Sequence, residues 1–180
     1  MMALYADHVH LTRASRIVVA TFVALTLGCF KTSSAVAACT DPARPEVDWS
    51  RCYHEGRNLA EADLTGAKLR DARFNRADLS KSVLNKIDGR RAKFVSATLE
   101  GASFDGANLT EADFTKANLT GVSLQNVNLR SARLFRANLK GANLTGAKLQ
   151  AADLLKADLS GARWTDGKTL CAEGSISQCK

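Results

Sequence analysis

The amino-acid sequence predicts an all-β chain: a narrow four-sided solenoid of about five stacked coils, with a short cap at either end. Three observations carry this reading. From Leu59 to Trp164 a large apolar residue returns at every fifth position, and of the 22 such positions 16 are Leu and 4 are Phe. Two residues before each of these centres lies a second regular position, filled 17 times by Ala. The remaining three positions of each quintet are mostly polar, and aromatic residues make up only 6% of the 180 residues.

Neither ordinary element can bury a period of five. On a helix, five residues turn the chain about 140° past a full revolution, so the leucines would scatter around the surface. In a flat strand an odd period sends successive leucines to opposite faces. A chain that turns one corner per quintet buries the pattern: the centre and the small residue two places earlier point inward, and the rest stay wet. Four corners close a coil of twenty residues, and coils stack at the ordinary strand spacing of about 4.8 Å. Ala suits the second position because so narrow a coil cannot hold two large side chains at each corner. Such repeats bury little alone and must stack.

Quintets such as Ala107-Asn108-Leu109-Thr110-Glu111 and Ala142-Asn143-Leu144-Thr145-Gly146 resemble the pentapeptide-repeat family, over roughly residues 57–166. The resemblance implies a right-handed quadrilateral β-helix. Some members of that family resemble duplex DNA in shape and charge and protect type II topoisomerases. It therefore also implies an alternative role, a DNA mimic acting on such an enzyme, which calls for an acidic rod in the cytosol.

Taken in order, residues 1–38 read as a signal peptide. Arg13 and Arg16 precede an apolar run from Ile17 to Phe30, and Ala35-Val36-Ala37-Ala38 supplies a small-residue cleavage site. That run is too short to span a bilayer comfortably. Val36-Ala37-Ala38-Cys39 resembles a lipoprotein box, but Lys31 and three polar residues separate it from the apolar run. Export is expected, to the periplasm or beyond, from a Gram-negative bacterium. Residues 39–56 form the N-terminal cap, 57–166 the repeat, and 167–180 the C-terminal cap, the caps covering an apolar cross-section and unpaired edges. Their anchors include Trp49 and Cys52 at one end, and Leu170, Cys171, Ile176 and Cys179 at the other. Cys39, Cys52, Cys171 and Cys179 remain after cleavage, an even number that reads as two disulfides with three connectivities. An elongated fold favours Cys39 with Cys52 and Cys171 with Cys179.

Three departures mark the repeat. At Ile87-Asp88-Gly89 the large and small residues exchange places, which predicts a bulge or distorted corner and the weakest point of the core. Arg57 stands where Ala is expected, as in an atypical end coil. Trp164 fills the last centre, where its ring can cover the final coil.

The chemistry-bearing residues point away from catalysis. His54, the one histidine after cleavage, lies beside Cys52 and reads as a surface residue once that cysteine is bridged. Asp and Asn before many centres, such as Asp63, Asp78, Asn108 and Asn143, read as corner supports that bond to nearby backbone. No phosphate loop, metal-ligand spacing or nucleophile elbow is present. No enzyme activity, metal or cofactor is expected.

Charge says more. The whole chain carries a formal +7, and about +5 remains after cleavage. With twenty residues per coil, the outward residues sum by side. Side 1 (centres 59, 79, 99, 119, 139 and 159) is about −2 and side 2 (64, 84, 104, 124, 144 and 164) about −1. Side 3 (69, 89, 109, 129 and 149) is about +3 and side 4 (74, 94, 114, 134 and 154) about +5. On side 4, Phe135 and Leu155 should stack, exposed, amid Arg73, Arg76, Lys93, Arg133, Arg136 and Lys156. These eight residues form the candidate binding face. An apolar pair rimmed by arginine suits an anionic, partly greasy surface. The expected role is a non-enzymatic, exported structural or interaction module binding an anionic envelope component or protein partner, with peripheral membrane contact and no nucleic acid. The expected assembly is a monomer or an end-to-end dimer.

Overall fold

The computed structural model describes residues 39–180. The signal peptide inferred for residues 1–38 lies outside the described residues. From Asp48↔Lys68 to Asn143↔Arg163, single parallel bridges join residues twenty apart, with a new bridge every fifth residue. Each coil therefore has four sides, and each side is one bridge long.

The quintet accounts for nearly all of its own backbone donors. The residue before each centre donates to the preceding coil, as Lys68 N does to Val47 O at 2.9 Å. The centre and the residue two after it donate to the following coil, as Leu69 N does to Asp88 O at 2.8 Å and Asp71 N to Arg90 O at 3.0 Å. The small residue closes the corner on the previous centre, as Ala72 N does on Leu69 O at 3.1 Å. In most quintets the fifth donor goes to a side chain. Asp63 Oδ1 accepts from Thr65 N at 2.9 Å and Asp78 Oδ1 from Ser80 N at 3.0 Å. At two quintets whose bridge residue is Ser, the stacked residue of the preceding coil supplies the acceptor: Asn85 Oδ1 accepts from Asp105 N at 2.8 Å, and Asp105 Oδ1 from Gln125 N at 3.0 Å. The Asp and Asn ladders are corner supports.

The corners are type II turns, with positive φ only at the third residue. Sixteen coil corners put a non-glycine there, from Glu46 to Lys156, with φ between 55° and 62°. An L-residue pays about 1–2 kcal/mol for that conformation, so stacking must outweigh it at each corner. Gly146 shows why glycine is kept at some of them: a Cβ there would run into the Asn126 amide.

Inside, the centres from Leu64 to Leu144 and the small residues from Ala67 to Ala142 are almost fully buried. Side 4 is lined by a stack of rings. Phe74, Phe94 and Phe114 lie parallel at 5.2 and 4.9 Å, and Phe104 meets the last two edge-on at 5.9 Å.

The exchange at Ile87-Asp88-Gly89 makes no bulge. Bridges Lys68↔Asp88 and Asp88↔Asn108 keep register, and Ala92 N still bonds Gly89 O at 3.0 Å. Ile87 is buried and fills the missing volume: a Cβ built on Gly89 would lie 3.2 Å from Ile87 Cδ1 and 2.8 Å from Leu109 Cδ2.

The coil also begins ten residues earlier than residue 57. Val47 and Trp49, then Cys52 and His54, occupy the small and central positions of two further quintets, all buried. The solenoid is thus about six coils rather than five. His54 is buried, not a surface residue, because it holds a central position. Its ring lies 4.1 Å from Trp49 and 5.3 Å from Phe74. Arg57 Nη1 donates to His54 Nδ1 at 2.8 Å and sits 5.7 Å over the Trp49 ring. Since arginine can only donate, the histidine proton is on Nε2. Burial, then the Arg57 charge, pull the His54 pKa down to about 4.

Disulfides join Cys39 to Cys52 and Cys171 to Cys179. Beyond Trp164, which is half-buried against the core, the chain folds back antiparallel through Arg163↔Leu170 and Asp158↔Ile176. That return covers sides 1 and 2 of the last coil, while Leu149, Ala152 and Leu154 on sides 3 and 4 stay half-buried. Leu170 and Ile176 are not the anchors expected of them, being 63% and 44% exposed. Both are bridge residues, whose side chains point outward, and Cys171 and Ser175 are the buried ones.

Candidate functional site

Side 4 assembles from three columns of outward residues. The bridge column runs Tyr53, Arg73, Lys93, Asp113, Arg133, Asp153, held in register by the bridges Tyr53↔Arg73 to Arg133↔Asp153. The column after the centre runs Val95, Thr115, Phe135, Leu155. The corner column runs Arg76, Ser96, Lys116, Arg136, Lys156, joined to its neighbour by Lys116 N to Phe135 O at 2.9 Å and Arg136 N to Leu155 O at 3.1 Å. All eight sequence-predicted residues therefore share one side.

Their exposure differs from expectation at one place. Leu155 is 55% exposed, but Phe135 is half-buried, with the Arg136 guanidinium 5.2 Å over its ring. Tyr53, 67% exposed with Arg73 at 4.9 Å over its ring, also belongs to the side and was missed. The signal for it was its position twenty residues before Arg73, hidden because the repeat reads as starting at Arg57.

Ion pairing separates the two basic sides. On side 3, Arg70 Nε lies 2.6 Å and Arg90 Nε 2.9 Å from Asp88, Arg91 grips Asp71 at 2.8 Å, and Lys68 lies 4.0 Å from Asp48. Burial raises the Asp88 pKa, but hydrogen bonds from Arg90 and Arg70 outweigh it and hold the carboxyl below its usual value. The hydrogen bond from Arg91 does the same for Asp71. On side 4 both contacts are as long as that of Lys68: Arg76 is 3.9 Å from Glu55 and Arg133 is 3.9 Å from Asp113. Lys93, Lys116, Arg136 and Lys156 have no carboxylate in ion-pair range among the described residues. Side 3 thus holds Arg70, Arg90 and Arg91 in short pairs and leaves Arg51, Arg130 and Lys148 without a carboxylate in range among the described residues, whereas no cation of side 4 has a carboxylate closer than 3.9 Å and most have none in range.

Little else invites chemistry. Trp49 is fully buried and offers no surface to a ligand. Among the described residues, no cluster of His, Cys, Asp and Glu could hold a metal ion, and no helix is long and apolar enough to cross a membrane.

A stack of quintet-built coils with separately charged sides defines a repeat solenoid. The description "Pentapeptide repeat region" matches residues 57–134 and "Pentapeptide repeats (8 copies)" matches 128–163. The chain belongs to the pentapeptide repeat family. No curated protein matches it. Among solved structures it is similar to HetL, a pentapeptide repeat protein involved in heterocyst differentiation regulation from the cyanobacterium Nostoc sp. strain PCC 7120. Identity there is 32% over 70% of this chain and 66% of that one, with a TM-score of 0.46. A pentapeptide repeat protein from the thylakoid lumen of Arabidopsis thaliana is 33% identical over 59% of this chain and 68% of that one, with a TM-score of 0.41. Rfr23 from the cyanobacterium Cyanothece 51142 is 28% identical over 65% and 90%, with a TM-score of 0.29. The chain spans 66% of HetL, just under two thirds of its length.

Proposed function

We propose that this is an exported, non-enzymatic interaction module, a right-handed coil as family membership implies, that binds an anionic component of a Gram-negative envelope or an acidic protein partner through side 4. The observation that carries the reading is the contrast in pairing: on side 3 Arg70, Arg90 and Arg91 are held at 2.6 to 2.9 Å by Asp88 and Asp71, whereas on side 4 no cation has a carboxylate closer than 3.9 Å. Unmatched charge on a rigid face steers anionic partners and favours binding that salt weakens. Two disulfides fit an oxidising compartment.

The test is binding of the purified protein to anionic vesicles and to envelope extracts across a salt series. Binding should weaken as salt rises and fall sharply in Arg133→Glu/Arg136→Glu. Absence of salt-sensitive binding to any of these would overturn the reading. Inhibition of gyrase supercoiling at low protein concentration would favour the topoisomerase role instead, which the net positive charge of the repeat opposes.

A further inference from the structure

The three columns of side 4 have a consequence for the kind of anion they suit. An apolar strip of Val95, Phe135 and Leu155, interrupted by Thr115, runs along the solenoid axis beside the cations of the corner line, while the bridge column on its other edge alternates Lys93 and Arg133 with Asp113 and Asp153. Within the corner line, Lys116, Arg136 and Lys156 follow one another on successive coils, so their charges step at the coil spacing of about 4.8 Å. Their backbones share one left-handed conformation, φ 59°, 56° and 62°, so all three Cα–Cβ bonds leave the corner in the same direction, the Arg136 guanidinium then turning over Phe135. The interstrand bonds that tie Lys116 to Phe135 and Arg136 to Leu155 fix cation and apolar residue side by side before any ligand arrives.

From this arrangement we infer that side 4 is a binding strip for a linear acidic polysaccharide, an extended glycan with one carboxylate per sugar, lying along the axis. The inference rests on the reading of side 4 as an anion-binding face and names the anion. The coil step is close to the length of one sugar in an extended chain, so successive carboxylates meet successive cations of the corner line while the C–H face of a ring lies on Leu155, the apolar side chain of the strip that stands clear.

Other anions fit less well. An extended acidic peptide presents same-face side chains about 6.7 Å apart, out of step with the coils. A lipid surface is engaged by protruding apolar side chains, but Phe135 lies half-buried under Arg136 and only Leu155 stands clear. Single-stranded nucleic acid needs open aromatic faces on which bases stack, and Arg136 already occupies that of Phe135.

The experiment measures affinity of the purified protein for polymannuronate, with neutral mannan, polyglutamate, single-stranded DNA and anionic vesicles as comparisons. Expected are saturable binding to polymannuronate above all four, a loss of about tenfold or more in Lys116→Gln/Lys156→Gln, and about threefold in Leu155→Ser, which changes no charge. All three replaced residues are exposed, and circular dichroism checks that the variants fold. Equal or tighter binding of polyglutamate or DNA, or an unchanged affinity in Leu155→Ser, overturns the glycan strip. Vesicle binding without polymannuronate binding overturns the strip but leaves the anion-binding face standing. No binding to any anion removes both.

Discussion

Sides 3 and 4 are neighbours, and by counting residues both are basic, yet they differ outside and inside. Outside, side 3 holds Arg70, Arg90 and Arg91 on Asp88 and Asp71, while side 4 leaves Lys116, Arg136 and Lys156 without a carboxylate in ion-pair range. Inside, side 4 is backed by the ring stack from His54 through Phe114, and side 3, beyond Trp49, by aliphatic residues interrupted at Gly89. The comparison teaches that formal charge per side is not field per side. What matters is whether a carboxylate stands one coil away in the same column.

The largest effect expected lies behind side 4. Phe94 touches rings above, below and at its edge, and a coil closed by backbone bonds on both sides cannot collapse into the gap. Phe94→Ala should cost about 3–5 kcal/mol in urea unfolding. A cost below about 1 kcal/mol would mean the stack is not a rigid core.

The same stack carries a pH signature. Unfolded, His54 takes a proton below about pH 6.5; folded, only below about 4. Between those values the unfolded state holds more protons, so stability is complete above pH 6.5 and is lost as pH falls towards 4, by on the order of 3 kcal/mol. His54→Phe should flatten that window. Asp63 and Asp78, held below the usual carboxylate range by hydrogen bonds from Thr65 and Ser80, lose their contribution only as pH falls below about 4. Equal slopes in the parent and His54→Phe between pH 6.5 and 4 would show that the ring is not buried neutral.

Behind side 3, Gly89→Leu alone should cost about 1–3 kcal/mol by overpacking against Ile87 and Leu109, and Ile87→Ala alone should open a cavity. The double variant restores the regular small-then-large order, so it should be more stable than the sum of the singles by about 1 kcal/mol or more. Additive costs would deny that Ile87 fills the Gly89 space.

How much of this was legible follows from which interactions are periodic. Leu at the centres and Ala two places earlier encode the four-sided coil directly, because each quintet must meet the same geometric demand. The first two quintets were hidden because Trp49, His54 and Cys52 meet that demand with other side chains, and Arg57 breaks the pattern beside them. The columns of side 4 followed from the twenty-residue stack. The short pairing on side 3 was not legible, since the side-chain reach that brings both Arg70 and Arg90 onto Asp88 has no period. Nor was the folding of Arg136 over Phe135, which turned an expected exposed ring into a covered one.

The central claim, that most of the unpaired positive charge of the two basic sides lies on side 4, is tested most directly by two variants of identical formal charge. Arg133→Gln/Arg136→Gln and Arg70→Gln/Arg90→Gln each remove two charges, one pair from each side. The measurement is the salt concentration that releases each protein from an anionic matrix. The side 4 variant should elute at markedly lower salt than the parent, and the side 3 variant close to the parent. Equal shifts for the two would contradict the account.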